Sequence, residues 1–130
     1  PEFTGIESEL LIPEPQAFPG RLIVLTSRSN ASGSTALMTQ LQKRANTVFV
    51  GEPTGGNPDG TTAGVLFFLK LPHSGITVRI PWFLHVPDID KQYGGKGLEP
   101  DIPVYITIKS LVEGEDPVLE TALELAARVF

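Results

Sequence analysis

Apolar residues in this chain come in short blocks separated by glycine and proline, and the period changes from block to block. Leu22-Ile23-Val24-Leu25-Thr26 is a short apolar run behind the breaker Pro19-Gly20. Its length and β-branched content predict a strand buried on both faces. From Thr35 the spacing becomes helical. Ala36, Leu37, Leu41 and Ala45 are apolar, while Gln40, Lys43 and Arg44 are polar. A helix is expected from about Ser34 to Arg44, stopped at Asn46. Thr47-Val48-Phe49-Val50 reads as a second short buried strand ended by Gly51. Strand, helix and strand with few residues between them predict a parallel pair with a right-handed crossover.

Gly51 to Gly64, GEPTGGNPDGTTAG, is the segment richest in breakers. A loop of this length in a compact domain is usually functional or mobile. It lacks the lysine followed by Ser or Thr that a phosphate-binding loop needs. Val65–Leu71 and Ile76–Val86 flank Pro72-His73-Ser74-Gly75 and predict a β-hairpin. Alternation along it would bury Phe67, Leu69, Val78 and Ile80 on one core-facing side, with Pro81 ending the pairing or marking an edge. Residues 87–97 are polar and glycine-rich, and Tyr105-Ile106-Thr107-Ile108 reads as a last strand. Asp116 as N-cap and Pro117 at the first helical position open a C-terminal helix. Leu119, Ala122, Leu123, Ala126 and Val129 line one face of it. The lead-in, residues 4–20, is expected to be extended, with a short strand at Leu10-Leu11-Ile12. Pro1-Glu2-Phe3 has the look of a cloning remnant, which would make the chain a fragment of something longer.

A length of 130 residues suffices for one domain with one core, and neither a repeat nor a linker divides it. Lys and Arg number 10 against 15 Asp and Glu, a formal charge of −5, with no basic cluster. This balance argues against a nucleic-acid partner. No apolar run approaches membrane-spanning length. The absence of cysteine excludes disulfides, thiolate metal sites and a cysteine nucleophile. His73 and His85 stand apart without metal-ligand spacing. No metal or cofactor is expected.

The candidate chemistry lies in Ser27–Ser34, the small-residue stretch where the first strand turns into the first helix. Such a turn can hold a serine hydroxyl beside free backbone N–H groups, a suitable place for a nucleophile with an oxyanion hole. On the local pattern alone, an ordinary Ser/Asn/Gly-rich turn with a capping serine is the better reading.

Five motifs follow in order: RLIVLTSRSNASGS, VFVGEPTGGNPDG, LPHSGITV, KGLEPDIPV and EDPVLETALELA. Together they resemble the C-terminal half of the catalytic domain of tail-specific (carboxyl-terminal processing) and tricorn-core serine proteases, from about Gly20 to Phe130. The resemblance implies an α/β fold of the ClpP/crotonase type, a β-β-α core here carried as a partial domain with a β-hairpin and a C-terminal helix. It also implies serine peptidase chemistry on a peptide or unfolded-protein substrate, and an extracytoplasmic location. Ser32 falls on the nucleophile and Gly33 on one oxyanion N–H donor. Gly55, Gly56 and Asn57 would shape the substrate cleft. Fold relatives often oligomerise, and self-association through a surface left unpaired is expected.

This chain departs from the family pattern at the base. The tail-specific branch uses a lysine at a position that falls on Asn57, which cannot accept a proton at neutral pH. The tricorn-like branch uses a histidine from an earlier part of the domain and a downstream acidic residue, for which Asp88 or Asp90 could stand. His85 is a further candidate base, although no spacing links it to Ser32. A different class remains open: a non-catalytic relative resembling retinoid- or fatty-acid-binding repeats, with Phe67, Phe68, Trp82 and Phe83 around an apolar ligand.

Overall fold

The structure is a computed structural model that describes residues 14–62, 64–87 and 89–128. The suggested strand at 10–12 and the candidate Asp88 lie outside the described residues.

Three parallel strands form the main sheet, in the order β1 (Leu22–Thr26), β2 (Thr47–Gly51), β5 (Ile102–Pro103). Helix α1 (Gly33–Gln42) connects β1 to β2, whose register runs from Leu22 opposite Thr47 to Thr26 opposite Gly51. This is the parallel unit expected from the strand–helix–strand spacing. Val24 and Phe49 are paired neighbours and share the face covered by α1. Met38 from α1, Phe49 from β2 and Leu98 from the approach to β5 form the buried cluster, and Val24, Leu41 and Tyr93 pack around it. Helix α3 (Pro117–Ala127) packs on β1 and β2 and buries Val118 and Ala122. The chain is a mixed α/β structure with helices on both sides of a short parallel sheet.

Local chemistry sets the ends of these elements. Asp116 caps α3 by accepting the Leu119 N–H at 3.0 Å, and Pro117 follows it as expected. Gly51 has φ 132°, and a Cβ there would run into the Thr26 carbonyl oxygen. Strand β2 therefore ends beside β1 in a conformation that favours glycine.

Three expectations need correction. Strand β1 is half-buried rather than buried on both faces, with Leu25 40% exposed, because only α3 and short loops cover that side. The expected strand over 105–108 is replaced by β5 further upstream and by helix α2 (Ile108–Glu113). Thr107 and Ser110 form a reciprocal cap there, a local hydrogen-bonding arrangement that competes with strand pairing. The hairpin forms in the expected place, β3 (Leu66–Lys70) against β4 (Thr77–Pro81), with Leu66 opposite Pro81. However, it is a separate two-stranded sheet and not part of the core. Phe67, Leu69, Val78 and Ile80 are all exposed, because nothing in the described chain lies over either face. Phe67 packs instead on Trp82, ring centroids 4.4 Å apart.

Candidate active site

Ser32 stands between β1 and α1 with φ 55° and ψ −121°. It is the only non-glycine residue with positive φ among the described residues. L-residues avoid this region, and holding one there costs on the order of 1–3 kcal/mol. The strain comes from the geometry of the turn. The Asn30 side chain accepts the Ser27 N–H at 2.7 Å, and the Asn30 N–H donates to the Ser27 carbonyl at 3.0 Å. This closed turn delivers the chain to the helix start at a sharp angle. Ser32 takes up the bend and its side chain makes no cap hydrogen bond. It is therefore not the capping serine that the local pattern favoured.

Ser32 is solvent-exposed, and a Cβ built on Gly33 meets nothing within 4 Å. The space in front of the turn is open. The Ser34 N–H is taken by the Ala31 carbonyl at 3.3 Å and the Ala36 N–H by the Ser32 carbonyl at 3.0 Å. The Gly33 N–H, at the first position of the helix, has no intrahelical acceptor. Serine hydroxyl and adjacent backbone donor thus lie at the positive end of the α1 dipole, where developing negative charge is favoured.

The 51–64 loop lies directly against this turn. The Gly56 N–H donates to the Asn30 carbonyl at 2.8 Å. A Cβ on Gly56 would stand 2.6 Å from the Ala31 Cα, and one on Gly55 would overlap the Arg28 carbonyl. Both contacts require glycine at close approach. Thr35, fully buried at the start of α1, has its hydroxyl against Gly56 and without a hydrogen-bond partner. Asn57 follows at once. Its side chain accepts the Asp59 N–H at 2.9 Å, so it serves the loop's own turn. The three cleft residues Gly55, Gly56 and Asn57 are therefore placed beside the serine turn.

The other candidates among the described residues make no hydrogen bond to Ser32. Asp90 shares a polar cavity of about 260 Å³ with Gln42, Lys43, Tyr93 and Asp101. That places it at the C-terminal end of α1, a helix length of about 15 Å from Ser32. His85 is exposed and exchanges backbone hydrogen bonds with Thr61 at 2.9 and 2.8 Å. His73 is at the exposed hairpin turn. Among the described residues no side chain hydrogen-bonds the Ser32 hydroxyl. Nor do the described residues contain a His, Cys, Asp or Glu cluster able to hold a metal ion, or a helix long and apolar enough to cross a membrane.

Sequence reasoning missed two residues that brace the loop. Thr54 is buried, donates its hydroxyl to the Gly56 carbonyl at 2.8 Å and accepts the Leu98 N–H at 2.8 Å. Asp59 accepts the N–H groups of Tyr93 at 2.6 Å and Gly95 at 3.0 Å. These donors, Gly95 first, hold its carboxyl below the usual carboxylate range. The Tyr93 phenol is pushed up, first by burial and then by the charges of Asp59 and Asp90. Asn57-Pro58-Asp59-Gly60 reads as a turn in sequence, and Gly94-Gly95 as another, but nothing in the sequence pairs them.

The profile of peptidase family S41 matches residues 5–104. A Sulfurisphaera tokodaii protein that carries the provisional name tricorn-like protease C-terminal subunit is 26% identical over 110 residues. The match takes in 85% of this chain and 12% of that protein. A solved structure of a provisionally assigned peptidase from Parabacteroides merdae is 30% identical, with a TM-score of 0.62. It covers 83% of this chain, which in turn spans 32% of that one. The chain thus spans only a minor part of the relatives it matches. With the profile covering most of its length and the mixed α/β fold shared with a peptidase structure, this chain belongs to peptidase family S41.

Proposed function

We propose that this chain is the C-terminal part of a serine peptidase catalytic domain of the ClpP/crotonase type, with Ser32 as its nucleophile. The observation that carries the reading is the Ser32 backbone. A strained, exposed serine at a strand-to-helix turn, beside a backbone donor without an intrahelical acceptor, is a geometry that suits a nucleophilic serine. In this reading Ser32 Oγ attacks the peptide carbonyl carbon while a base removes its proton. The oxyanion forms toward the Gly33 N–H. Glycines 55 and 56 let the loop lie tight against the serine turn, where it would form one wall for an extended peptide.

In this reading the described residues do not supply the base. Asn57 is not basic, and His85 and Asp90 have no contact with Ser32. We assign the base, and the second oxyanion donor, to portions of the whole protein outside these residues. The short share of each relative that this chain spans supports that assignment. The similarity to a tricorn-like subunit favours a histidine over a lysine.

A fluorophosphonate probe tests the reading on the full-length protein. A covalent adduct on the Ser32 peptide is expected, lost in Ser32→Ala with an unchanged melting temperature. A full-length protein that digests a denatured substrate while Ser32 stays unlabelled and replaceable would sink the assignment. Absence of hydrolysis, with tight uptake of a fatty acid, would favour the non-catalytic alternative. The exposed Phe67, Phe68, Trp82 and Phe83 are the observation behind that alternative.

A further inference from the structure

Asp59 sits in the loop that lies against the serine turn, and its side chain accepts from a second segment, the 93–95 turn. Its carboxylate fills a concavity of backbone N–H groups made by the 93–95 turn. Gly94 and Gly95 have φ 61° and 80°, the tight turn that brings these N–H groups to one side. Tyr93 and Gly95 both donate to the carboxylate. The Tyr93 ring packs on the Met38–Phe49–Leu98 cluster, and its hydroxyl donates to the Gln42 side chain at 2.6 Å. Gln42 is the last residue of α1.

The loop is thus attached at both ends of the helix that begins at the nucleophile. At the N-terminal end Gly56 bonds Asn30 and abuts Ala31. At the C-terminal end Asp59 reaches α1 through Tyr93 and Gln42. We infer that Asp59 is a positioning residue for the Ser32 site, its carboxylate clamping the Tyr93–Gly95 turn so that the Gly55–Asn57 wall is fixed along α1. Its role is to hold the peptide-binding wall, not to touch the reacting atoms. This rests on the reading of Ser32 as nucleophile.

Such a role separates substrate binding from the chemistry at Ser32. A small fluorophosphonate needs only the hydroxyl, its base and the oxyanion donors. A peptide also needs the wall, and misplacing a positioning element can cost up to about a hundredfold. Asp59→Asn keeps the shape but turns an amide N–H toward backbone donors, and Gly95→Ala disturbs the same contact from the other side.

In the full-length protein, each variant is expected to raise KM for a peptide about tenfold or more. Saturating fluorophosphonate labelling of Ser32 should stay within about twofold of wild type. The double variant should be no worse than the poorer single one, because both break one contact. Rescue is expected in neither Asp59→Ala nor Asp59→Leu. A KM within about twofold of wild type in Asp59→Asn overturns the inference, as do strictly multiplicative effects in the double variant. Equal falls in labelling and hydrolysis, with a lowered melting temperature, also overturn it, since they would show a folding role only. If wild-type Ser32 itself is never labelled, the nucleophile reading has failed and not the clamp.

Discussion

Gly56 donates its backbone N–H to the carbonyl of Asn30 at 2.8 Å, across the gap between the glycine-rich loop and the turn that ends at Ser32. This bond ties the loop of the proposed cleft to the Ser32 turn. It forms only because Gly56 can approach Ala31 and Thr35 without a side chain.

Gly56→Ala should therefore be costly in two ways. Its methyl would stand 2.6 Å from the Ala31 Cα, and backbone there cannot give way cheaply. Overpacking of this kind costs about 1–3 kcal/mol. Chemical denaturation should show that loss, and in the full-length protein labelling of Ser32 should fall with it. Unchanged stability and labelling would mean the loop is not held against the turn in solution.

Ser32 should show a trade between stability and activity. Glycine accepts φ 55° and ψ −121° without steric cost, so Ser32→Gly relieves strain but adds chain entropy to the unfolded state. The net expectation is a gain of about 1 kcal/mol or less, with no remaining fluorophosphonate adduct. Ser32→Ala removes the hydroxyl and keeps the strain, so its stability should stay within about 0.5 kcal/mol of wild type. A destabilised Ser32→Gly protein would show that the turn is not strained.

Acid should loosen the link between the 51–64 loop and the 93–95 turn. The folded-state pKa of Asp59 lies below its unfolded value, because Gly95 and Tyr93 donate to the ionised form. The resulting stabilisation is fully present above the unfolded value, about pH 4, and is lost as pH falls through the folded one. Amide protons of Tyr93 and Gly95 should gain exchange rate on that descent. Asp59→Asn should make their exchange insensitive to carboxylate titration. Asp90, Lys91 and the Tyr93 phenol are ionisable groups on the same turn. An Asp90→Asn control keeping the wild-type acid response would confirm the assignment to Asp59.

The hairpin should behave as an interface, not as core. Phe67 is 45% exposed, so Phe67→Ala should cost this chain less than about 1 kcal/mol, against roughly 3–5 for a buried phenylalanine. An isolated two-stranded sheet with apolar side chains on both faces is marginal in water and prone to pair with another chain. Sedimentation of the 130-residue chain should reveal concentration-dependent association. Replacing Phe68 and Trp82, 66% and 57% exposed, by lysine should reduce it. A strictly monomeric wild-type chain would contradict this.

The same 130-residue chain should fold without hydrolysing peptides. A serine hydroxyl is a weak nucleophile until a base within hydrogen-bond reach takes its proton, and no side chain among the described residues reaches Ser32. Assaying this chain beside the full-length protein on a denatured substrate should show activity only in the latter, and His85→Ala should leave that activity intact. Cleavage by the short chain, abolished in His85→Ala, would make His85 the base.

Much of this protein is legible without coordinates, because its local signals are strong. The change of period at Thr26–Thr35 places β1, the serine turn and α1, since buried strands and amphipathic helices write different repeats. Asp116-Pro117 places the start of α3 through capping chemistry that acts within a few residues. Gly55-Gly56 announces a close backbone approach, and the order of the motifs carries the family. The tertiary structure decided what depends on distant partners. The alternation of β3 and β4 states that one face is apolar but not what covers it, and here nothing described does. Ile108 has strand propensity, but the Thr107–Ser110 cap beside it takes it into a helix. Asp90 follows the hairpin in sequence, yet Tyr93 packing on Met38 and Phe49 carries its loop to the far end of α1. Asp59 and Gly95 meet across 36 residues of chain. A carboxylate meeting backbone N–H groups so distant leaves no periodic trace in sequence, because backbone donors are the same for every residue but proline.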